Sequence, residues 1–200
     1  MPLIGITGGI ATGKSTFARG LLRELPAELF DSDRCAHELL ANDTGVHEML
    51  ANVFGSAIFD ERGRPDRARL RQQVFANPAS RKLLEEILHP RIRARWRTWA
   101  AESAASKTWL FVDIPLLYET GAEAHLDRVL VVACAPATQR RRLRELRGLD
   151  EALAESILAA QADLRVKISK ADHVIWNDST LACLDRQAGL LAQVLRHRYD

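Results

Sequence analysis

Eight consecutive residues, Gly8-Gly9-Ile10-Ala11-Thr12-Gly13-Lys14-Ser15, with Thr16 behind them, carry the first chemical signal of this chain. Two glycines, a lysine and a hydroxyl residue at this spacing form the phosphate-loop pattern. The chemistry is anion binding. Backbone N–H groups of such a loop converge on phosphate oxygens, so its side chains must be small enough for close approach. The positive end of a following helix adds attraction for the same anion. Lys14 then reaches the outer phosphates of a nucleotide. Ser15 offers a hydroxyl to Mg²⁺, a hard cation that prefers oxygen ligands and keeps several waters.

Further candidates lie outside the loop. Asp33 follows a short apolar segment, where polar residues beside the ligand crevice of an open α/β sheet are expected. It is read either as a chemical group or as the N-cap of the next helix. His37 stands four residues later and shares a helix face with it. Asp113 closes the apolar run Trp109-Leu110-Phe111-Val112 and is read as an acid near Mg²⁺, acting through water, or as a local cap. Arg140, Arg141, Arg142, Arg144 and Arg147 are a solvated helix face or an anion clamp. The six histidines show no shared spacing for a metal.

These groups need elements to hold them. Leu3, Ile4 and Ile6 predict a buried strand, and Lys14 to Leu25 a helix with Phe17, Leu21, Leu22 and Leu25 on one side. Strands are expected at Ala27–Phe30, Trp109–Asp113, Arg128–Cys134 and Val174–Trp176. Helices are expected after Asp33, after Thr44 as N-cap, and after Asp66. A long helix from Ala79 to about Ala105 is kinked or split at Pro90. Further helices are expected from Ala137 to Arg147, stopped by Gly148, from Asp150 to Asp163, and from Leu181 to Arg196. Nearly uniformly apolar strands alternating with helices imply a parallel sheet covered on both faces, a three-layer α/β fold with helical excursions.

Composition narrows the class. The chain has 200 residues, 47% of them hydrophobic, enough for one sizeable core with attached subdomains. Its 28 Lys and Arg nearly balance 26 Asp and Glu, so the net charge of +2 points to neither nucleic acid nor a membrane surface. Cys35, Cys134 and Cys183 are odd in number and lack paired spacing, so neither a disulfide framework nor a zinc site is expected and a reducing cytoplasm fits. No stretch reads as a signal sequence or membrane span.

In order along the chain, the phosphate loop, Phe30-Asp31-Ser32-Asp33, Leu88-His89-Pro90-Arg91-Ile92-Arg93, Val112-Asp113-Ile114-Pro115-Leu116-Leu117, the Gln139 to Gln161 region and Lys170 to Asn177 resemble the dephospho-coenzyme A kinase family. The resemblance implies transfer of the ATP γ-phosphoryl group to the ribose 3′-hydroxyl of dephospho-coenzyme A, with Mg²⁺. It implies a nucleotide-binding core (1–33, 107–136, 171–200), a helical substrate domain (34–106) and a lid (137–170). Asp33 becomes the catalytic base, with Lys14 and Arg142 also catalytic. ATP is expected at Gly9, Ala11, Thr12, Gly13, Lys14, Ser15, Thr16, Arg142, Lys167 and Asn177, with Asp172 near the adenine. The substrate is expected at Asp33, His37, His89, Arg93 and Leu116. A cytoplasmic monomer or weak homo-oligomer is expected.

Three departures from the family pattern carry expectations of their own. Ala11 replaces a usual Gly, which implies a need for smallness and not for positive φ. His37 replaces a usual Arg, which makes the charge there pH-dependent. Leu146 replaces a lid Arg, with Arg147 expected to substitute for it and Arg144 to point away. A kinase of another small hydroxyl substrate shares the loop logic but not the His89-Pro90 and Asp113-to-Leu117 segments. A GTP switch would need an Asn-Lys-x-Asp tetrapeptide, which the sequence lacks.

Overall fold

The computed structural model describes residues 1–103, 105, 108–148, 150–159 and 161–199; at 75, 76, 147, 152, 156, 157 and 159 it describes the backbone alone. The described chain divides into two compact units. One comprises Met1–Phe30 with Ala100–Asp200, and the other Asp31–Trp99.

The first unit is built on a five-stranded sheet. Strand β1 (Leu3–Gly8) leads into helix α1 (Lys14–Glu24) and then β2 (Ala27–Asp31). The helical unit holds α2 (Ser32–Asn42), α3 (Thr44–Phe54), α4 (Arg67–Ala76) and most of α5 (Pro78–Ser103). The chain then returns through β3 (Trp109–Asp113), β4 (Arg128–Ala133), α6 (Pro136–Arg147), α7 (Glu151–Ala159), α8 (Leu164–Ser169), β5 (His173–Trp176) and α9 (Leu181–Tyr199). Strand order is β2-β3-β1-β4-β5, with β1 parallel to both β3 and β4, and β4 parallel to β5. The expected α/β architecture with a parallel sheet is the observed one.

Burial explains the strand compositions. β3 is buried at all five positions and β1 at five of six, so neither alternates polar and apolar residues. On one face, Ile4, Ile6, Phe111 and Val132 pack with Phe17 and Leu21 of α1 and Leu184, Ala188 and Leu191 of α9. Gly20 lets α1 and α9 come close, since a Cβ there would meet that of Ala188 at 3.3 Å. On the other face, a Cβ on Gly5 would stand 2.4 Å from Leu126 and 2.7 Å from Leu117, so glycine lets those leucines cover β1.

The helical unit has its own core of Leu39, Val46, Leu50, Phe54, Ile58, Leu70, Ile87, Leu88, Ile92 and Trp96. Two caps differ from expectation. Asp31, not Asp33, caps α2 by accepting from the Arg34 N–H at 2.9 Å, and Asp43, not Thr44, caps α3 by accepting from Val46 at 3.0 Å. In both cases a carboxylate one or two positions upstream has extended backbone, the geometry that aims a side chain back at the free N–H groups. Asp66 caps α4 as expected. Helix α5 runs through Pro90 as one 26-residue element, because losing a single N–H does not stop a helix whose flanking turns are buried at Ile87, Leu88, Ile92 and Trp96. The helix expected to reach Asp163 ends at Ala159, and Asp163 instead caps the short α8 by accepting from Arg165.

Candidate active site

Register delivers the first contact of the site. Ile6 of β1 lies opposite Asp113 of β3, so the carboxylate stands beside the strand that feeds the phosphate loop. Lys14, the first residue of α1, donates its Nζ to Asp113 Oδ1. Both side chains are largely buried, at 13% and 9% exposure, so the pair is shielded from bulk water and stronger than a surface pair. Asp113 is therefore the partner of the loop lysine.

The loop itself is tied down carbonyl by carbonyl. Thr12 closes on Gly9, its Oγ1 donating to the Gly9 carbonyl at 2.8 Å. The Ile10 carbonyl accepts from Gln139 Nε2 at 2.8 Å, and the Ile10 N–H donates to Gln161 Oε1 at 2.9 Å. Arg142 donates to the carbonyls of Ala11 (3.2 Å), Thr12 (3.3 Å) and Asn177 (2.9 Å). Asn177, buried just past β5, donates Nδ2 to the Thr12 carbonyl at 2.8 Å. Its position follows from the ladder, because Gly8 pairs with Val132 and Val132 with Ile175. The Ile10 N–H is taken by Gln161 and the Thr12 N–H faces the Gly9 carbonyl at 3.4 Å, so donors for a ligand must come from the rest of the loop, and α1 begins at the loop's end with its dipole aligned.

Gly13 has φ of 91°, and a Cβ there would meet Asn177 Nδ2 at 2.2 Å, so both conformation and space require glycine. Ala11 corrects the expectation drawn from its side-chain size. Its φ is 58°, so the backbone is left-handed although the residue is alanine, at a cost of about 1–2 kcal/mol.

Lys167 was expected at phosphates. It is instead fully buried at 0% exposure, donates to the Pro115 carbonyl at 3.0 Å and pairs with Glu119 at 2.8 Å. Burial alone would raise the Glu119 pKa, but the Lys167 ammonium and the Ala162 N–H outweigh it and hold the carboxyl below its ordinary value. Asp172 likewise acts on the backbone, accepting from the Val129 N–H at 2.8 Å beside Arg128.

The basic cluster separates by role. Arg140 pairs with Glu155, Arg142 turns to the loop, and Arg141 and Arg144 are exposed. Leu146 is 78% exposed, and the Arg147 side chain lies outside the described residues. Ser15 is exposed and Thr16 half-buried at the start of α1, and Leu116 is half-buried after β3.

In the helical unit, Asp33 and His37 are exposed one turn apart on α2. The capping by Asp31 leaves the Asp33 carboxylate without that structural duty. Arg67, the first residue of α4, donates Nη2 to His37 Nε2 at 2.9 Å. Arginine can only donate, so Nε2 accepts in this contact, and a permanent guanidinium stands beside the histidine. His89 and Arg93 share a face of α5 four residues apart. Desolvation pushes the His89 pKa below the usual histidine value.

Sequence reasoning assigned no role to Gln139, Gln161, Glu119 or Arg67, although the first two bound a region that carries the resemblance. Only the first left a usable signal: Gln139 and Arg142 lie three apart on α6 and therefore on one face.

Among the described residues no group of three or more His, Cys, Asp and Glu could hold a metal. The donor set at the loop fits Mg²⁺ all the same, because that ion takes one or two protein oxygens and completes its shell with phosphates and water. Among the described residues no helix is long and apolar enough to cross a membrane.

A family model described as dephospho-CoA kinase matches residues 2–182. The dephospho-CoA kinase of Anaeromyxobacter dehalogenans is 42% identical over 197 residues, covering 98% of this chain and 93% of that protein. A crystal structure from Thermus thermophilus superposes with a TM-score of 0.78 at 32% identity, covering 100% of this chain and 98% of that one. Dephospho-CoA kinase from Campylobacter jejuni superposes with a TM-score of 0.74 at 27% identity, over 99% and 98% of the two chains.

Proposed function

From the premise that this chain belongs to the dephospho-CoA kinase family, we propose how its own residues divide the work of the reaction. The reaction is the ATP-dependent phosphorylation of the ribose 3′-hydroxyl of dephospho-coenzyme A to coenzyme A, with ADP as the other product. It forms one O–P bond at the acceptor and breaks one at the β–γ bridge, and the hydroxyl proton must go to a base.

Phosphoryl transfer asks a protein mainly to align donor and acceptor and to neutralise charge on the transferring group. The residues from Gly9 to Thr16, with Asn177, cradle the ATP phosphates. Lys14 leaves Asp113 for the β- and γ-phosphates when ATP arrives, and Arg142 supplies a second cation from α6. Mg²⁺ would be held by Ser15, with Asp113 reaching it through water, and supplies charge neutralisation when bound.

Asp33 accepts the proton of the ribose hydroxyl. Its exposed carboxylate, released from capping, suits that task. His37 with Arg67, His89, Arg93 and Leu116 bind dephospho-coenzyme A. The helical unit, about 34–106, is the substrate domain, and 137–170 serves as a lid that excludes water. Lys167 supports that lid from inside through Glu119 and Pro115, a role that replaces direct contact with phosphate. The protein works as a monomer or weak homo-oligomer with these two small molecules and without nucleic acid.

The observation that carries this division is the Lys14–Asp113 pair, a shielded cation and carboxylate meeting at the phosphate loop. A coupled assay of ADP release, run with and without dephospho-coenzyme A, tests the whole. Release should depend on the acceptor and on Mg²⁺, and the product mass should rise by one phosphate. Turnover at the same rate without acceptor would defeat the assignment.

A further inference from the structure

Among the described residues Ala11 is the one non-glycine with a positive φ, and both peptide planes flanking its Cα are held by side chains of α6. The plane before it carries the Ile10 carbonyl, which accepts from Gln139 Nε2 at 2.8 Å. The plane after it carries the Ala11 carbonyl, which accepts from Arg142 Nη1 at 3.2 Å. The two dihedrals of a residue are the rotations between its Cα and these planes, so fixing both planes fixes φ and ψ together. Gln139 and Arg142 can do this jointly because they lie three apart on one helix face. Gln161 grips the plane before Ile10 by accepting its N–H at 2.9 Å.

Two features indicate a built arrangement. Gln139 is buried, at 5% exposure, with its amide aimed at the loop. Gly9 makes room for it, since a Cβ there would stand 2.5 Å from Nε2. A strained backbone persists where its surroundings over-determine it, and here the surroundings are supplied by one helix face.

We propose that Gln139, assisted by Gln161, is a positioning residue that holds Ala11 left-handed and so keeps the loop in its phosphate-binding shape. Released from Gln139, an alanine relaxes toward negative φ and turns the neighbouring N–H groups away from phosphate. A glycine at the same place has no such preference, because it populates positive φ about as readily as negative. Arg142 meets the phosphates as well as the loop, whereas Gln139 acts only through the backbone. The inference rests on the phosphate-loop reading above.

The test compares Gln139→Leu in the natural chain and in an Ala11→Gly background, with ATP affinity read by calorimetry and KM read for both substrates. Gln139→Leu should weaken ATP binding by about ten-fold in the natural chain, the scale set by the left-handed penalty of alanine. The dephospho-coenzyme A KM should stay within two-fold. In the Ala11→Gly background the same change should cost less than about three-fold. Equal losses in the two backgrounds, or no loss in the natural chain, would overturn the proposal. If Gln139→Leu does not fold, Gln139→Glu, which keeps the length and removes the donor, takes its place in the same comparison. Failure of the unmutated chain to bind ATP would instead strike the phosphate-loop reading itself.

Discussion

The phosphate loop and the exposed face of α2 are opposite solutions to the placement of functional groups. Every carbonyl from Gly9 to Thr12 is held by a side chain, and the residues doing so come from the loop itself, α6 and the end of β5. Asp33 and His37 stand on a helix surface with exposed side chains, joined by Arg67 from another helix. The difference follows from the chemistry each region performs. A phosphate cradle works by preorganised dipoles and gains nothing from motion. In the proposed division of labour, a base at Asp33 must admit a bulky substrate before it acts, and solvent-facing helix positions allow that.

The contrast is broken most directly at Asp33. Asp33→Asn keeps the shape but cannot take a proton, so kcat should fall by about 10²–10⁴-fold while the ATP Kd, read by calorimetry, stays unchanged. A loss of ATP affinity in this variant would mean that Asp33 belongs functionally with the loop. Lys14→Ala makes the complementary cut. Turnover of the folded variant should drop by roughly 10²–10³-fold, and the melting temperature should fall as well, because Asp113 is left largely buried without its counter-ion. Near-normal turnover would remove the cradle from the mechanism.

Glu119→Gln sharpens the comparison from the structural side. It leaves a charged Lys167 fully buried without its counter-ion, and stability should fall by about 3 kcal/mol in a urea melt. The pH dependence has a definite sign. Because the folded protein holds the Glu119 pKa below its unfolded value of about 4.5, the pair's stability is present above that value and lost as pH falls through the folded one. The acid limb of the stability profile should therefore flatten in Glu119→Gln, and an unchanged limb would show that other carboxylates set it.

The smallest expected effect is at Arg67. Arg67→Ala should raise the dephospho-coenzyme A KM by about five-fold and leave the ATP KM alone, as befits an exposed cation. His37→Gln retains an acceptor for Arg67 and should cost less than two-fold. A larger effect from His37→Gln than from Arg67→Ala would return the principal role to the histidine.

Much of this was readable along the chain. The strands, the phosphate loop, α1 and the helix-ending Gly148 follow from patterns that span a few residues, because apolar periodicity and backbone conformation are local properties. Asp66 marked a helix start for the same reason. Thr44 was misread as a cap, and Asp33 was left open between a cap and a chemical group, because several capping residue types stood side by side and only backbone geometry chooses among them. The roles proposed for the exposed Asp33 and Ser15 rest on motif position, without knowledge of what they touch.

Partners were another matter. The sequence by itself determined the parallel α/β plan, the anion-binding loop and the family resemblance, since these depend on residue types at short spacing. Tertiary structure alone decided that Ala11 is left-handed, that Lys167 is buried against Glu119, that Gln139 and Gln161 grip Ile10, and that Arg67 meets His37. The physical reason is separation. Gln139 and Ile10 lie 129 residues apart, and Lys167 and Pro115 lie 52 apart. Such contacts depend on strand order, register and helix packing, which no local spacing encodes.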